Sequence, residues 1–131
     1  MARFALAVVH EAARAGRVMV GGPQFKARLL PYVPGYVEML AFTEAVLLAL
    51  REPDFMKTLE YEGVAHDAYG VAISRDLQRR FGIEGLETWY LKFTMDEGDD
   101  GGEVLVVSLH QPEEPLRRAG GTLPVRFRRK T

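Results

Sequence analysis

The sequence predicts an α+β domain, in which a four-stranded, mostly antiparallel sheet has one main helix packed on one face, with a short N-terminal helix or strand added. Two observations favour this fold class. Apolar and polar residues alternate in several short segments after residue 56, which is the period of half-buried strands. A segment before them is apolar around nearly its whole helical surface, as expected of a helix that lies against a sheet. The length of 131 residues, with 47% hydrophobic and 27% charged residues, corresponds to one globular domain.

The N-terminal third is predicted to be short and irregular. Residues 3–15 have the apolar pattern of a helix that ends at Gly16, although the β-branched pair Val8 and Val9 also allows a strand. Residues 18–25 are predicted to be a short extended piece that glycine and proline interrupt. Residues 29–40 contain two prolines and a glycine, which predicts an irregular connection.

The main helix is predicted to cover residues 44–51. Thr43 is of the type that caps a helix N-terminus, and the carboxylate of Glu44 suits the positive end of the helix dipole. Pro53 cannot continue the helix and is predicted to stop it.

Four segments with strand-like alternation form the predicted sheet: residues 56–63, 67–76, 87–95 and 103–111. One face of the second strand is lined by small residues, which permits another group to approach it closely. Residues 77–85 are predicted to be a charged, turn-like excursion.

The alternation assigns faces to the last two strands, which residues 96–102 join as an acidic, glycine-rich hairpin loop. The predicted inward set is Trp89, Leu91, Phe93 and Met95 on one strand, with Leu105, Val107 and Leu109 on the other. The predicted outward set is Thr88, Tyr90, Lys92 and Thr94, with Val104, Val106, Ser108 and His110.

The composition argues against several classes of site. The chain has no cysteine, which excludes a disulfide scaffold, a thiolate zinc site and a cysteine nucleophile. The histidines His10, His66 and His110 are scattered, so we expect neither a metal site nor a cofactor. The apolar residues 4–9 are too few for a membrane span or a secretory signal, so we expect a cytoplasmic protein with no membrane partner.

The charge is distributed unevenly along the chain. Residues 1–116, the predicted domain, contain all 18 acidic residues and 11 basic ones, a formal charge of −7. Residues 117–131, the predicted basic tail, have a charge of +6. Such a tail binds nucleic-acid phosphates, or it is a solvated end, or it folds back onto the acidic body. With Arg75 it supplies the candidate nucleic-acid-binding residues Arg117, Arg118, Arg126, Arg128, Arg129 and Lys130.

The stretch from about residue 36 to 110 resembles the small toxin-like RNases of the RelE and BrnT type and related phage-associated nuclease-like domains. The matching pieces are AVLLALREPDF, HDAYGVAI, WYLKFTMDE and EVLVVSLHQ. This resemblance implies an RNase or RNA-binding domain from a phage or another mobile element, with RNA or the ribosome as its partner. The histidine that often precedes the helix in that group is absent between Tyr32 and Met39.

The residues themselves also allow this chemistry. Cleavage of RNA through the 2′-hydroxyl needs a base, an acid for the leaving oxygen and a cation near the phosphorane. Histidine is the side chain that titrates near neutral pH, so His66 and His110 rank first. The full candidate catalytic set is His66, Lys92, His110, Tyr69, Tyr90 and Ser108. The alternative is that these are ordinary polar groups on the solvent face of a sheet.

A second function class also fits the sequence. The protein would then be a noncatalytic phage or plasmid regulator that binds a host enzyme involved in nucleic-acid metabolism. Its contacts would be the aromatic residues Tyr32, Tyr36 and Phe55 and the asymmetric charge.

Overall fold

The fold of this protein is known from a computed structural model, which describes residues 1–96 and 102–125. The α+β class is confirmed. In chain order the helices and strands are α1 (Leu6–Arg14), β1 (Val18–Val20), α2 (Gly22–Leu29), α3 (Tyr36–Ala49), β2 (Phe55–Tyr61), β3 (Val64–Ala72), α4 (Arg75–Arg80), β4 (Thr88–Asp96), β5 (Glu103–His110), β6 (Leu116–Arg118) and β7 (Gly121–Leu123). A 3₁₀ turn, Glu52–Asp54, links α3 to β2.

Within the described residues, the main sheet has five strands in the order β1-β5-β4-β3-β2, one more than predicted. Strands β2 to β5 form the predicted antiparallel meander, and β1 adds to the free edge of β5 in parallel. The backbone N–H of Gly21 donates to Val106 O at 2.8 Å, and that of Val104 donates to Arg17 O at 2.9 Å. Three residues are too few to display a period, so only this pairing identifies β1 as a strand of the sheet.

The helices α1, α2 and α3 bury their apolar side chains in one core with the inner face of the sheet. The predicted start of the main helix was wrong, because α3 begins at Tyr36 after Gly35, whose φ is 95°. Thr43 lies in the middle of α3, where its hydroxyl donates to Met39 O at 2.7 Å. This hydrogen bond to the preceding turn is the other local option of a threonine side chain. No helix in the described ranges is long and apolar enough to cross a membrane.

Two other segments that were predicted to be irregular are partly helical. Pro23 lies in the first turn of α2, where its missing N–H costs no hydrogen bond. Ser74 caps α4, since its hydroxyl accepts from the N–H of Leu77 at 3.1 Å. Proline and serine therefore begin helices here, whereas the sequence prediction placed turns and extended chain at these positions.

The inner face of β4 is the predicted one, but half of β5 is reversed. Trp89, Leu91 and Phe93 are fully buried. On β5, the pairing shifts from Lys92↔Ser108 to Phe93↔Val106, which leaves one extra residue on that strand. A bulge of this kind reverses the alternation on one side of itself. The fully buried residues of β5 are therefore Val104 and Val106, with Leu109 1% exposed beyond the bulge, while Leu105 and Val107 are only half-buried.

The hairpin of β6 and β7 lies on the small-residue face of β3, on the side of the sheet opposite the helices. A Cβ atom at Gly70 would lie only 3.0 to 3.2 Å from side-chain atoms of Leu116 and Arg118. The backbone N–H of Ala119 donates to Phe55 O at 2.8 Å, and that of Gly120 donates to Pro53 O at 2.7 Å. The group that closely approaches the small-residue face of β3 is therefore the β6–β7 hairpin of the same chain. The boundary predicted after residue 116 falls inside β6, and residues 126–131 of the predicted tail lie outside the described residues.

An ion pair fastens this hairpin to the body. Arg118 donates from Nη1 to Asp54 Oδ1 at 2.7 Å, and their side chains are 13% and 3% exposed. The other carboxylate oxygen of Asp54 accepts from the N–H of Arg51 at 2.9 Å. The guanidinium of Arg118 is thus engaged in a buried structural contact.

Candidate functional site

The outer face of the sheet, on the side away from α1, α2 and α3, holds the candidate site. Strand register brings four of the predicted residues together there, since Lys92 pairs with Ser108 and Tyr90 pairs with His110. We call these four residues the β4–β5 cluster. All four are half-buried.

The rings of Tyr90 and His110 are stacked. Their centroids are 5.1 Å apart and their planes differ by 28°. Burial raises the pKa of the Tyr90 hydroxyl, and the nearby phenol of Tyr61 raises it further. Tyr90 therefore keeps its proton through the neutral range and can act as a hydrogen-bond donor.

The imidazole of His110 has one nitrogen committed and one available. Nδ1 lies 2.8 Å from the carbonyl oxygen of Gln111, and because a carbonyl can only accept, Nδ1 carries the hydrogen. The neutral ring then has a lone pair on Nε2. The pKa of His110 is lowered, and burial is the largest cause. The positive charges of Arg28 and Lys92 also lower this pKa, whereas the hydrogen bond to the Gln111 carbonyl and the charge of Glu113 raise it. A neutral imidazole with a basic Nε2 is the form that accepts a proton from a substrate.

Lys92 reaches across the outer face to Tyr61, a residue that the sequence prediction missed. Its ammonium lies 3.3 Å from the Tyr61 hydroxyl and 4.6 Å from the centre of the ring. Tyr61 ends β2 and is 47% exposed. The period of a strand puts Tyr61 on the same face as Lys57 and Leu59, and this was the signal in the sequence that could have identified it.

His66 is on the same outer face but at a distance from His110. Its Nδ1 contacts Val64 O at 3.1 Å, and its ring meets that of Tyr61 edge to face at 5.2 Å. On β4, His110 is opposite Tyr90, whereas Asp67, the residue after His66, is opposite Phe93. The two histidines are therefore two strands apart across the sheet and four residues apart along it. Ordinary strand spacings then place their Cα atoms about 16 Å apart. The two imidazoles are too far apart to act on one phosphodiester.

Tyr69 is on the opposite side of the sheet. It is 1% exposed, stacks on Phe93 at 5.8 Å and meets Phe55 edge to face at 5.5 Å. Burial, and next the negative charge of Asp67, raise the pKa of its hydroxyl. Tyr69 therefore belongs to the core and does not join the β4–β5 cluster.

Three of the predicted nucleic-acid-binding arginines lie in the described residues. Arg75 is exposed in the first turn of α4, and Arg117 is exposed on β6. Arg118 is paired with Asp54. The remaining predicted residues, Arg126, Arg128, Arg129 and Lys130, lie outside the described residues. Among the residues that are described, no three His, Asp or Glu side chains are grouped so that they could hold a metal ion.

The titration of His110 can be measured directly. We expect its imidazole to titrate below 6.5 in an NMR experiment, and Arg28→Ala to move the pKa back toward 6.5, because Arg28 lowers it. The folded state disfavours the protonated imidazole, so the pKa of His110 is lower in the folded than in the unfolded protein. The free energy of unfolding therefore decreases as the pH falls from about 6.5 through the pKa of the folded state, and this group does not change it at higher pH. Arg79→Ala, in α4, serves as the control. A midpoint above 6.5 would contradict this account of the site.

No protein-family model matches this chain, and no curated protein matches it significantly.

Proposed function

We propose that this protein is a metal-independent ribonuclease of the RelE or BrnT kind, which binds single-stranded RNA on the outer face and cleaves it through the 2′-hydroxyl. The observation that carries the proposal is the β4–β5 cluster, in which a neutral histidine, a protonated tyrosine and a lysine lie side by side. The resemblance of residues 36–110 to those RNases supports the same chemistry. The substrate would be cytoplasmic RNA, either free or on the ribosome.

Each group in the cluster has a role in this reaction. Nε2 of His110 takes the proton of the 2′-hydroxyl, and the 2′-oxygen attacks phosphorus. The ammonium of Lys92 stabilises the negative charge that develops on the phosphoryl oxygens, assisted by the hydroxyl of Ser108. The 5′-oxygen leaves with a proton from Tyr90, so the products are a 2′,3′-cyclic phosphate and a free 5′-hydroxyl.

The geometry fits a phosphate between these groups. Lys92 and Ser108 face each other across the strands, and His110 is the next residue on the same face of β5. Diagonal neighbours in a sheet have Cα atoms about 7 to 8 Å apart. Because the ammonium of Lys92 contacts Tyr61, a phosphoryl group that it holds would lie between Tyr61 and the imidazole of His110. The exposed aromatic ring of Tyr61 beside them suits unstacked bases, which bind to aromatic side chains on open sheet faces.

The experiment that tests this function is a cleavage assay with single-stranded RNA. We expect His110→Ala and Lys92→Ala each to lower the cleavage rate by about 100-fold or more, the usual contribution of a general base or of a group that stabilises developing charge. His10→Ala is the matched histidine control, since His10 Nε2 contacts Leu50 O away from the outer face. The proposal would be contradicted if His10→Ala and His110→Ala lowered the cleavage rate equally. It would also be contradicted if the wild-type protein left RNA uncleaved at every pH near neutrality.

A second candidate function rests on a different surface. The exposed side of α3 is apolar, with Val37 74% exposed, Tyr36 55% and Leu48 41%. A surface of this kind suits a protein partner and supports the alternative of a noncatalytic phage or plasmid regulator that binds a host enzyme of nucleic-acid metabolism. Stable binding to such an enzyme that Val37→Asp abolishes, together with no RNA cleavage, would favour this alternative.

A further inference from the structure

We infer that Tyr61, supported by the buried ring of His66, forms a second subsite, which stacks a base of single-stranded RNA next to the phosphate held by the β4–β5 cluster. This inference rests on the proposed function and names its substrate class: RNA with an unpaired base beside the cleaved phosphate, in preference to a sugar-phosphate backbone without bases.

Tyr61 is held at the edge of the sheet in a position where a base can reach it. It pairs with Val64 across a tight turn, in which Glu62 and Gly63 have φ values of 49° and 81°. Positive φ at both central residues is the hairpin geometry that matches the twist of the strands, so the turn fixes the direction of β2 at its end. The edge-to-face contact with His66 at 5.2 Å supports the ring, and nearly half of the residue is exposed.

The ammonium of Lys92 places a bound phosphate next to the ring of Tyr61. It lies 3.3 Å from the Tyr61 hydroxyl and 4.6 Å from the centre of the ring. Exposed aromatic side chains on open sheet faces stack unpaired RNA bases. A base that flanks the phosphate held by Lys92 is therefore within reach of Tyr61.

Lys92 connects the two subsites. Lys92 pairs with Ser108 and Ala68 on the neighbouring strands. Its side chain extends from β4, and its ammonium contacts the hydroxyl and ring of Tyr61. Tyr61 thus has two separable roles: its ring would stack a base, and its hydroxyl would position the ammonium of Lys92. Tyr61→Phe removes only the hydroxyl, whereas Tyr61→Ala removes both.

The test measures binding of a fluorescein-labelled octaadenylate and of an abasic ribose-phosphate octamer in a His110→Ala background, in which cleavage is suppressed. We expect octaadenylate to bind more tightly than the abasic octamer, and Tyr61→Ala to weaken octaadenylate binding about 10- to 100-fold more than Tyr61→Phe does, the range for one base stacked on an aromatic ring. Both variants should change binding of the abasic octamer equally, because both lack the hydroxyl that contacts Lys92. The matched control is Tyr36→Ala, since Tyr36 is also exposed and has Lys26 at 5.3 Å from its ring, but lies on α3.

The outcomes separate this inference from the proposed function. Equal binding of octaadenylate and the abasic octamer, or equal losses of octaadenylate binding in Tyr61→Ala and Tyr36→Ala, would overturn the subsite while leaving cleavage by His110 and Lys92 intact. Equal losses of octaadenylate binding in Tyr61→Phe and Tyr61→Ala would assign Tyr61 to the positioning of Lys92 alone and would also overturn stacking. An octaadenylate that does not bind at all would overturn both the subsite and the proposed function.

Discussion

Replacing Trp89 with alanine is expected to lower the free energy of unfolding by about 3 to 5 kcal/mol, the usual cost of removing a large buried aromatic side chain. Trp89 is fully buried in β4. Its ring meets that of Phe42 at 5.0 Å and that of Tyr32 at 6.0 Å, so it joins the sheet to α3 and to the segment before α3. The indole N–H donates to Leu86 O at 2.8 Å, and this bond would be lost as well.

Urea denaturation followed by circular dichroism measures the effect of this change. Thr88→Ala is the matched control, because Thr88 is the preceding residue of the same strand and its side chain is on the outer face. We expect the control to change stability by less than about 1 kcal/mol, as is usual for substitutions away from the core. A Trp89→Ala protein within that same range would mean that the inner face of β4 is assigned wrongly.

Replacing Arg118 with alanine is expected to cost about 3 to 5 kcal/mol, because it leaves a buried carboxylate without its cation. Asp54 has a side chain that is 3% exposed, and Arg118 is its closest ionic partner at 2.7 Å. Arg51 approaches the same carboxylate only at 4.0 Å from a side chain that is 74% exposed. The loss would release β6 from Gly70, whose carbonyl also accepts from Arg118 at 3.3 Å.

A double-mutant cycle with Asp54→Asn isolates this ion pair. The double variant should be more stable than Arg118→Ala alone, since the uncompensated charge is then removed. Arg117→Ala, which changes the exposed neighbour on β6, should have an effect of less than about 0.5 kcal/mol. A protein that ends at Leu116 and unfolds at the same urea concentration as the full chain would contradict a stabilising role for the hairpin.

The hairpin also bounds the candidate site. Gly70, which β6 covers, pairs with Tyr90 of the β4–β5 cluster. Under the proposed function, RNA on the outer face would therefore extend from the cluster toward Tyr61 and away from β6. Since Arg118 is neutralised by Asp54, removing Arg118 should then affect stability more than RNA binding.

Local sequence pattern predicted those features of the protein that local geometry decides. The alternation in residues 87–95 is long enough to identify β4 and its buried face, and through it the outward direction of Tyr90 and Lys92. The α+β class followed in the same way from one apolar helix and several alternating segments. The start of α3 was not predictable from Thr43, because a threonine hydroxyl bonds equally well to a backbone N–H at a cap or to a carbonyl one turn earlier.

Tertiary structure alone decided the features that depend on pairing between distant segments. The bulge opposite Lys92 and Phe93 reversed the alternation of β5. A bulge depends on how two strands pair, so the sequence of one strand does not reveal it. Register separated His66 from His110 and brought Tyr61 to Lys92 across 31 positions of the chain. Arg118 found Asp54 across 64 positions, so an arginine that composition placed in a basic tail became part of the buried structure. Burial and charge partners of this kind arise only when the chain is folded, because their energies depend on distance in space and on exclusion of water.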